Sequence, residues 1–267
     1  MLNASIVLYK HSVTEIALLV ETLLQSGVVK QVYLIDNSPK EDKGFQSQGI
    51  NYIFNNKNLG YGAAHNIAIR QTIQQHCPYH LVVNPDIAFE ATILEKLVQF
   101  MEIHSEIGSA MPKVLYPDGK VQYLCKLIPS PFDLVFRRFL PNSWTRKRME
   151  QFELRASGYN RIMDVPYLSG CFMFLRTKAL EEVGLFDERF FMYPEDIDLT
   201  RRIHSKYRTV FNPEVQVIHN HEQGSYKSGS LLYIHISNMM KYFNKWGWIF
   251  DNERRNVNRE TLSKIFK

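Results

Sequence analysis

His80-Leu81-Val82-Val83-Asn84-Pro85-Asp86-Ile87 is the stretch on which the reading of the fold turns. Four residues suited to a buried strand end abruptly in an amide, a proline and a carboxylate. Proline has no N–H to give a sheet ladder, so the strand is predicted to stop by Asn84. A helical pattern follows, with Ile93, Leu94, Leu97, Val98 and Met101 spaced for one apolar face. Asp86 then falls in the turn at the strand's carboxyl end, where open α/β sheets keep their ligands. A lone aspartate there reads first as a cap or turn residue. The rest of the chain has to supply company for it.

It does so upstream. Ala4 to Tyr9 reads as a buried strand, and Ser12-Val13-Thr14-Glu15 has capping-box spacing ahead of the apolar face Ile16, Leu19, Val20 and Leu23. Val32 to Ile35 is a second strand, running into Asp36-Asn37-Ser38-Pro39. Ile50 to Phe54 is a third, running into Asn55-Asn56-Lys57-Asn58-Leu59-Gly60-Tyr61-Gly62, after which Ala64, Ile67 and Ala68 share a helix side. Strands alternating with helices predict an α/β protein with a mostly parallel central sheet and helices on both faces. Tyr9, Asp36, the Asn55–Asn58 run and Asp86 all fall at strand carboxyl ends, which in a parallel sheet share one edge. Together they read as a nucleotide site.

The residues weigh against two other nucleotide folds, a dinucleotide-binding dehydrogenase, which a nicotinamide titration would test, and a P-loop NTPase. Gly60-Tyr61-Gly62-Ala63-Ala64-His65 lacks the third glycine of a dinucleotide fingerprint and stands too far from its strand, and no Gly-x-x-x-x-Gly-Lys loop occurs.

Downstream, the stretch from Ser109 to Asp164 carries prolines, aromatics and basic residues and is read as excursions from the core. Leu168-Ser169-Gly170-Cys171 leads into another buried strand, with Gly170 permitting close backbone approach. Then comes Phe186-Asp187-Glu188-Arg189-Phe190-Phe191-Met192-Tyr193-Pro194-Glu195-Asp196-Ile197-Asp198. Pro194 suits a helix start, and the helix dipole there is expected to keep Glu195 or Asp196 ionised, as a general base requires. Successive helical residues point about 100° apart, so only one of the pair should face the crevice. Helix capping alone accounts for one such acid, not for the cluster. Val215 to Ile218 forms a strand ending in His219-Asn220-His221. Asp86 and His219 are expected to share a divalent-metal and diphosphate site, with His221 the weaker candidate.

The 267 residues suffice for a sizeable core, and 45% hydrophobic with 22% charged residues is ordinary for a folded protein. Cys77, Cys125 and Cys171 form no metal-type pair, which leads to the expectation of a reduced, cytoplasmic setting. Within the net charge of +5, Arg137, Arg138, Arg146, Lys147 and Arg148 cluster among Phe136, Phe139, Leu140 and Trp144. Phe136–Met149 is therefore either a solvated loop face or a contact for anionic lipid at the inner face of the membrane. Nucleic acid is not expected, since no binding motif accompanies the charge.

In sum of motifs, the chain resembles the family 2 glycosyltransferases of the GT-A fold, and within them the rhamnosyltransferase-like bacterial group. The likeness rests on Ser5-Ile6-Val7 with Tyr9, Ile35-Asp36-Asn37-Ser38, Asn58-Leu59-Gly60-Tyr61-Gly62 with Asn66, Asn84-Pro85-Asp86, Leu168-Ser169-Gly170, Phe186–Phe191 and Glu195-Asp196-Ile197-Asp198-Leu199. It implies an inverting transfer of a sugar such as rhamnose from a dTDP- or UDP-sugar to a glycan or polyprenyl-linked acceptor in surface polysaccharide synthesis. It also implies a catalytic domain over 1–230 and a C-terminal helical extension over 231–267. By resemblance Tyr9 and Asp36 hold the nucleobase, with Asn58, Gly60 and Asn84 on the nucleotide side. Asp86 takes the metal place of the family's Asp-x-Asp motif for Mg²⁺ or Mn²⁺, Asp196 is the base, and Glu195 and Gly170 lie on the sugar and acceptor side. The motif's first Asp is Asn84 here, which leaves one anionic ligand in that turn. The competing reading is a catalytically inactive sugar-nucleotide binder in an assembly complex, and retention of both Asp86 and Asp196 weighs against it.

Overall fold

Alternation along the strands builds the molecule, described here from a computed structural model over residues 1–134, 142–220 and 229–266. The first half runs β1 (Leu2–Leu8), α1 (Val13–Gln25), β2 (Val29–Asp36), β3 (Ile50–Phe54), α2 (Tyr61–Gln74), β4 (Tyr79–Val83), β5 (Ile87–Ala88) and α3 (Thr92–Ile103). It continues with β6 (Ile107–Leu115), β7 (Cys125–Lys126), α4 (Pro131–Leu134), α5 (Asn142–Phe152), β8 (Met163–Asp164), β9 (Tyr167–Leu168) and β10 (Phe172–Arg176). The last part is α6 (Thr177–Val183), α7 (Glu195–His204), β11 (Arg208–His219), α8 (Gly229–Trp246) and α9 (Asn252–Ile265).

Among the described residues the central sheet has nine strands, ordered β3-β2-β1-β4-β10-β6-β11-β5 with β8 on β11. Successive strand side chains point to opposite faces. Ala4, Ile6 and Leu8 of β1, Val32 and Leu34 of β2, and Leu81 and Val83 of β4 pack with α1 and α3. Tyr33 and Ile35, then Val82, Met173 and Leu175, pack on the other face with α2, α6 and α7. Both faces are covered, as a parallel sheet requires. On the α2 face the core is polar: Ser5 Oγ lies 2.7 Å from His65 Nδ1 and 2.8 Å from His80 Nε2. Burial pushes the His80 pKa down to about 3, so this pair is neutral core rather than ligand.

Three departures from the sequence reading place the site. Ile87–Ala88 does not enter the helix at once but pairs antiparallel with the end of β11, His219 opposite Ile87. β10 runs antiparallel between β4 and β6, Phe172 opposite Val83, so Gly170 and Cys171 stand beside the end of β4. β6 is a full strand inside the stretch read as excursions. Its Pro112 hides it, and β11 accommodates that proline with a bulge, the register jumping from Asn212 opposite Pro112 to Gln216 opposite Lys113.

The C-terminal helices are docked on α7. Met239, Tyr242 and Phe243 pack with Tyr167, Phe190 and Ile197. Arg201, 2% exposed, makes paired hydrogen bonds of 2.7 and 2.8 Å to Asp251, with its guanidinium 4.0 Å from the Trp246 ring. A buried pair so arranged fixes α7, and with it the acids at its start, against the end of the chain. Residues 135–141 of the basic stretch, and His221, lie outside the described residues. No helix among the described residues is long and apolar enough to cross a membrane.

Candidate active site

The ends of β1, β2 and β3 form one side of the crevice. Tyr9 is 46% exposed just past β1. Asp36 is turned inward instead, at 1% exposure, because Tyr52 Oη donates to one carboxylate oxygen at 2.7 Å and the Ser38 N–H to the other at 2.8 Å. The expected base-holding Asp36 thus serves first to close its own turn. Asn58 does similar work: its Oδ1 accepts the Gly60 N–H at 3.0 Å and the Asn37 amide at 3.2 Å. Asn37, quoted in the motif but given no role, also donates to Gly60 O at 3.1 Å and so ties two strand ends together.

Gly60 itself begins α2 with φ of +85°, and a Cβ there would come 2.2 Å from the carbonyl oxygen of Phe191. That contact joins the glycine loop to the segment carrying Glu195 and Asp196. Gly60→Ala should therefore cost at least about 2 kcal/mol, read as a fall in Tm of roughly 4–8 °C. An unchanged melt would mean the loop does not need this approach.

Tyr61 links the two acidic parts of the site. Its hydroxyl is 2.9 Å from Asn84 Oδ1 and 2.7 Å from Gly170 O. Asn84, in the place of an aspartate, is thus a neutral partner for a buried tyrosine, and its backbone N–H bonds Cys171 O at 2.9 Å.

Two residues on, Asp86 is partly exposed and its Oδ1 lies 3.3 Å from His219 Nε2. His219 is oriented from behind: Nδ1 is 2.9 Å from Gln122 Oε1, while the Gln122 amide nitrogen donates to His219 O at 2.9 Å. With the amide fixed that way, Nδ1 carries a hydrogen and Nε2 faces Asp86. The two side chains stand close enough for a divalent cation to draw on both the imidazole nitrogen and the carboxylate. An outer partner fixing the tautomer is what a metal-ligating histidine needs. The donor set fits a divalent ion, but sparsely. Among the described residues no group of three or more His, Cys, Asp or Glu is placed to hold one, so other oxygens would have to complete the shell. Gln122 was not readable as a partner, since it sits in an aperiodic stretch.

At the start of α7 the two carboxylates part company. Glu195 is 5% exposed, turned toward Gly62 and Phe186, and its Oε2 has no hydrogen-bond partner. Asp196 points to the crevice edge, where Oδ2 accepts the Gly170 N–H at 2.9 Å and Oδ1 the Ile197 N–H at 2.8 Å. Tyr167 Oη lies 3.4 Å from Oδ2. The helix dipole is not the whole environment of Asp196: burial raises its pKa, and the backbone N–H donors of Gly170 and Ile197 oppose that. Glu195 is pushed well above its ordinary value by burial and then by the charge on Asp196. The other acids here are engaged. Asp187 binds Arg189 and Lys245, Glu188 binds Arg70, and buried Asp198 binds Arg202, Lys245 and the Trp246 indole.

A family model described as "Glycosyltransferase like family 2" matches residues 40–251. The chain belongs to glycosyltransferase family 2. This family 2 glycosyltransferase is similar to N-acetylglucosaminyl-diphospho-decaprenol L-rhamnosyltransferase of Mycobacterium tuberculosis, 31% identical over 61% of the chain and 56% of that protein. It thus spans little more than half the length of that relative. It is also similar to rhamnosyltransferase WbbL of Escherichia coli, 26% identical over 73% of each chain. Its fold matches a solved structure of GalNAc-T7 with UDP, GalNAc and Mn²⁺, at a TM-score of 0.61 and 13% identity over 92% of this chain and 50% of that one. The GT-A expectation is thereby met.

Proposed function

We propose that this glycosyltransferase moves a sugar from a nucleoside-diphosphate donor to a glycan or lipid-linked acceptor hydroxyl, with inversion at the anomeric carbon. Rhamnose from a dTDP-sugar is the first donor to try, because two of its relatives are named rhamnosyltransferases. The acceptor oxygen forms a bond to the anomeric carbon as the bond to the diphosphate oxygen breaks. Asp196 takes the acceptor's proton. Its raised pKa makes it a stronger base than an exposed aspartate, and the Gly170 and Ile197 N–H groups hold it in place. Asp86 and His219 would hold a divalent cation, which when bound supplies charge neutralisation for the departing diphosphate.

The observation that carries the reading is the bridge through Tyr61. One hydroxyl touches Asn84 beside the candidate metal pair and Gly170 beside Asp196, so the leaving-group side and the base side are built as one unit. The test is to incubate the full chain with dTDP-, UDP- and GDP-sugars and Mn²⁺ and to measure nucleoside diphosphate released. Donor consumption by at least one of them is expected. Tight binding with no consumption of any would instead favour the inactive binder.

A membrane contact belongs to the same proposal. Trp144 is 78% exposed beside Arg146 and Lys147 on α5. Binding to anionic but not neutral liposomes, weakened by salt, is expected, and equal binding to both would remove its electrostatic part.

A further inference from the structure

Beneath Asp196 lies a small sheet that the proposed mechanism has not used. β7 and β9 pair antiparallel, with Cys125 opposite Leu168 and Lys126 opposite Tyr167. The Lys126 ammonium stands 5.5 Å from the centre of the Tyr167 ring, and the hydroxyl of that ring reaches Asp196. The strand holding Lys126 is itself anchored: the Tyr159 hydroxyl donates to Cys125 O at 2.8 Å, and the Cys125 N–H donates back to it at 3.1 Å. Tyr159 is 1% exposed, so β7 is pinned from the core.

The groups facing Asp196 explain why a cation belongs there. Glu195 on its own helix is a carboxyl, neutral or negative. Tyr167 on β9 and Tyr61 on α2 are pushed well above ordinary phenol values by burial, and the Cys171 thiol is pushed up to about 12. Asp86, which also acts on Tyr61 and Cys171, is an acid. None of these favours a second negative charge. Lys126 opposes the effect of burial on Asp196, beside the two backbone N–H donors and the weaker Tyr167 hydroxyl.

We propose that Lys126 is a positioning residue for acceptor deprotonation, seated on the Tyr167 ring so that its charge keeps Asp196 ionised and in place. This rests on the reading of Asp196 as base. The sign follows directly: a base must be ionised to work, so turnover falls as pH drops through the Asp196 pKa. Removing a nearby positive charge raises that pKa and moves the fall to higher pH.

The test is the pH profile of nucleoside diphosphate release from dTDP-rhamnose, or from the UDP- or GDP-sugar that the screen selects, with excess Mn²⁺. Lys126→Met keeps the stem on Tyr167 and removes the charge. It should lose about three- to tenfold on the acid limb, approaching the effect of one pH unit, with much less change on the plateau. Lys126→Arg should restore the profile. A Met variant with an unmoved profile, or one slowed equally at every pH, overturns the proposal, as does failure of Arg to rescue. Asp196→Asn assayed alongside separates the two claims: if it turns over normally, the base assignment itself fails. If it is inactive while the Met profile is unmoved, only the role of Lys126 falls.

Discussion

Asp196→Asn is expected to lower sugar transfer by about 10²- to 10⁴-fold, the usual cost of removing a general base, while nucleoside diphosphate still binds. The swap keeps size and an oxygen for the Gly170 N–H but replaces the acceptor of the Ile197 N–H with an amide nitrogen, so a thermal melt accompanies the rate measurement. Glu195→Gln should lose far less. Glu195 is turned inward with one carboxylate oxygen outside any hydrogen bond, and burial and the charge beside it raise its pKa, so it is not the acid presented to the acceptor. The acid limb of the rate should also lie at higher pH than an exposed aspartate would give, since burial raises the Asp196 pKa. Steady-state rates with parallel calorimetry check all of this. An active Asn variant with an inactive Gln variant would exchange the two roles.

Asp86→Ala should abolish most of the gain in nucleoside diphosphate affinity that Mn²⁺ confers. Removing partners of the outer shell commonly costs about 10- to 100-fold in metal affinity, and loss of a direct carboxylate ligand should cost at least that. Gln122→Ala should fall within that range, because it frees the His219 ring from the orientation set at Nδ1. Titration of the diphosphate with Mn²⁺ and with a chelator distinguishes the outcomes. If Asp86→Ala keeps the full metal-dependent gain, the cation is held elsewhere.

The sequence made the parallel half of the fold readable because its strands and helices obey simple periods. Val82 and Val83 run unbroken into Asn84-Pro85-Asp86, and α3 shows its apolar face openly. β6 was not readable, since Gly108 and Pro112 break the pattern of a strand and only a bulge in a distant partner permits them. Strand-end positions made Asp86 and His219 candidates, whereas the helix start left Glu195 and Asp196 as rivals and only the family resemblance favoured Asp196. Their controlling neighbours were not readable: Gln122, Tyr167 and Lys126 lie in irregular sequence, and only chain pairing brings them in. Nor could sequence foretell that Asp36 turns inward onto Tyr52, a contact between strands that carries no periodic signal. Desolvation of Asp196 was likewise hidden, as it depends on what covers the helix start rather than on the helix itself.

In a single displacement the acceptor oxygen enters opposite the departing diphosphate, so the anomeric configuration inverts. Among the described residues the acids near Asp196 are not presented as a second nucleophile: Glu195 is turned inward, Asp187 and Asp198 are held in ion pairs, and Asp86 faces His219. The anomeric proton of newly released or transferred sugar, followed by NMR in the first minutes before mutarotation, tests this directly. The account predicts that the product first appears with the anomeric configuration opposite to that of the donor. Product of the same configuration would mean a double displacement or entry of the acceptor on the face the diphosphate leaves, and would contradict the site as described.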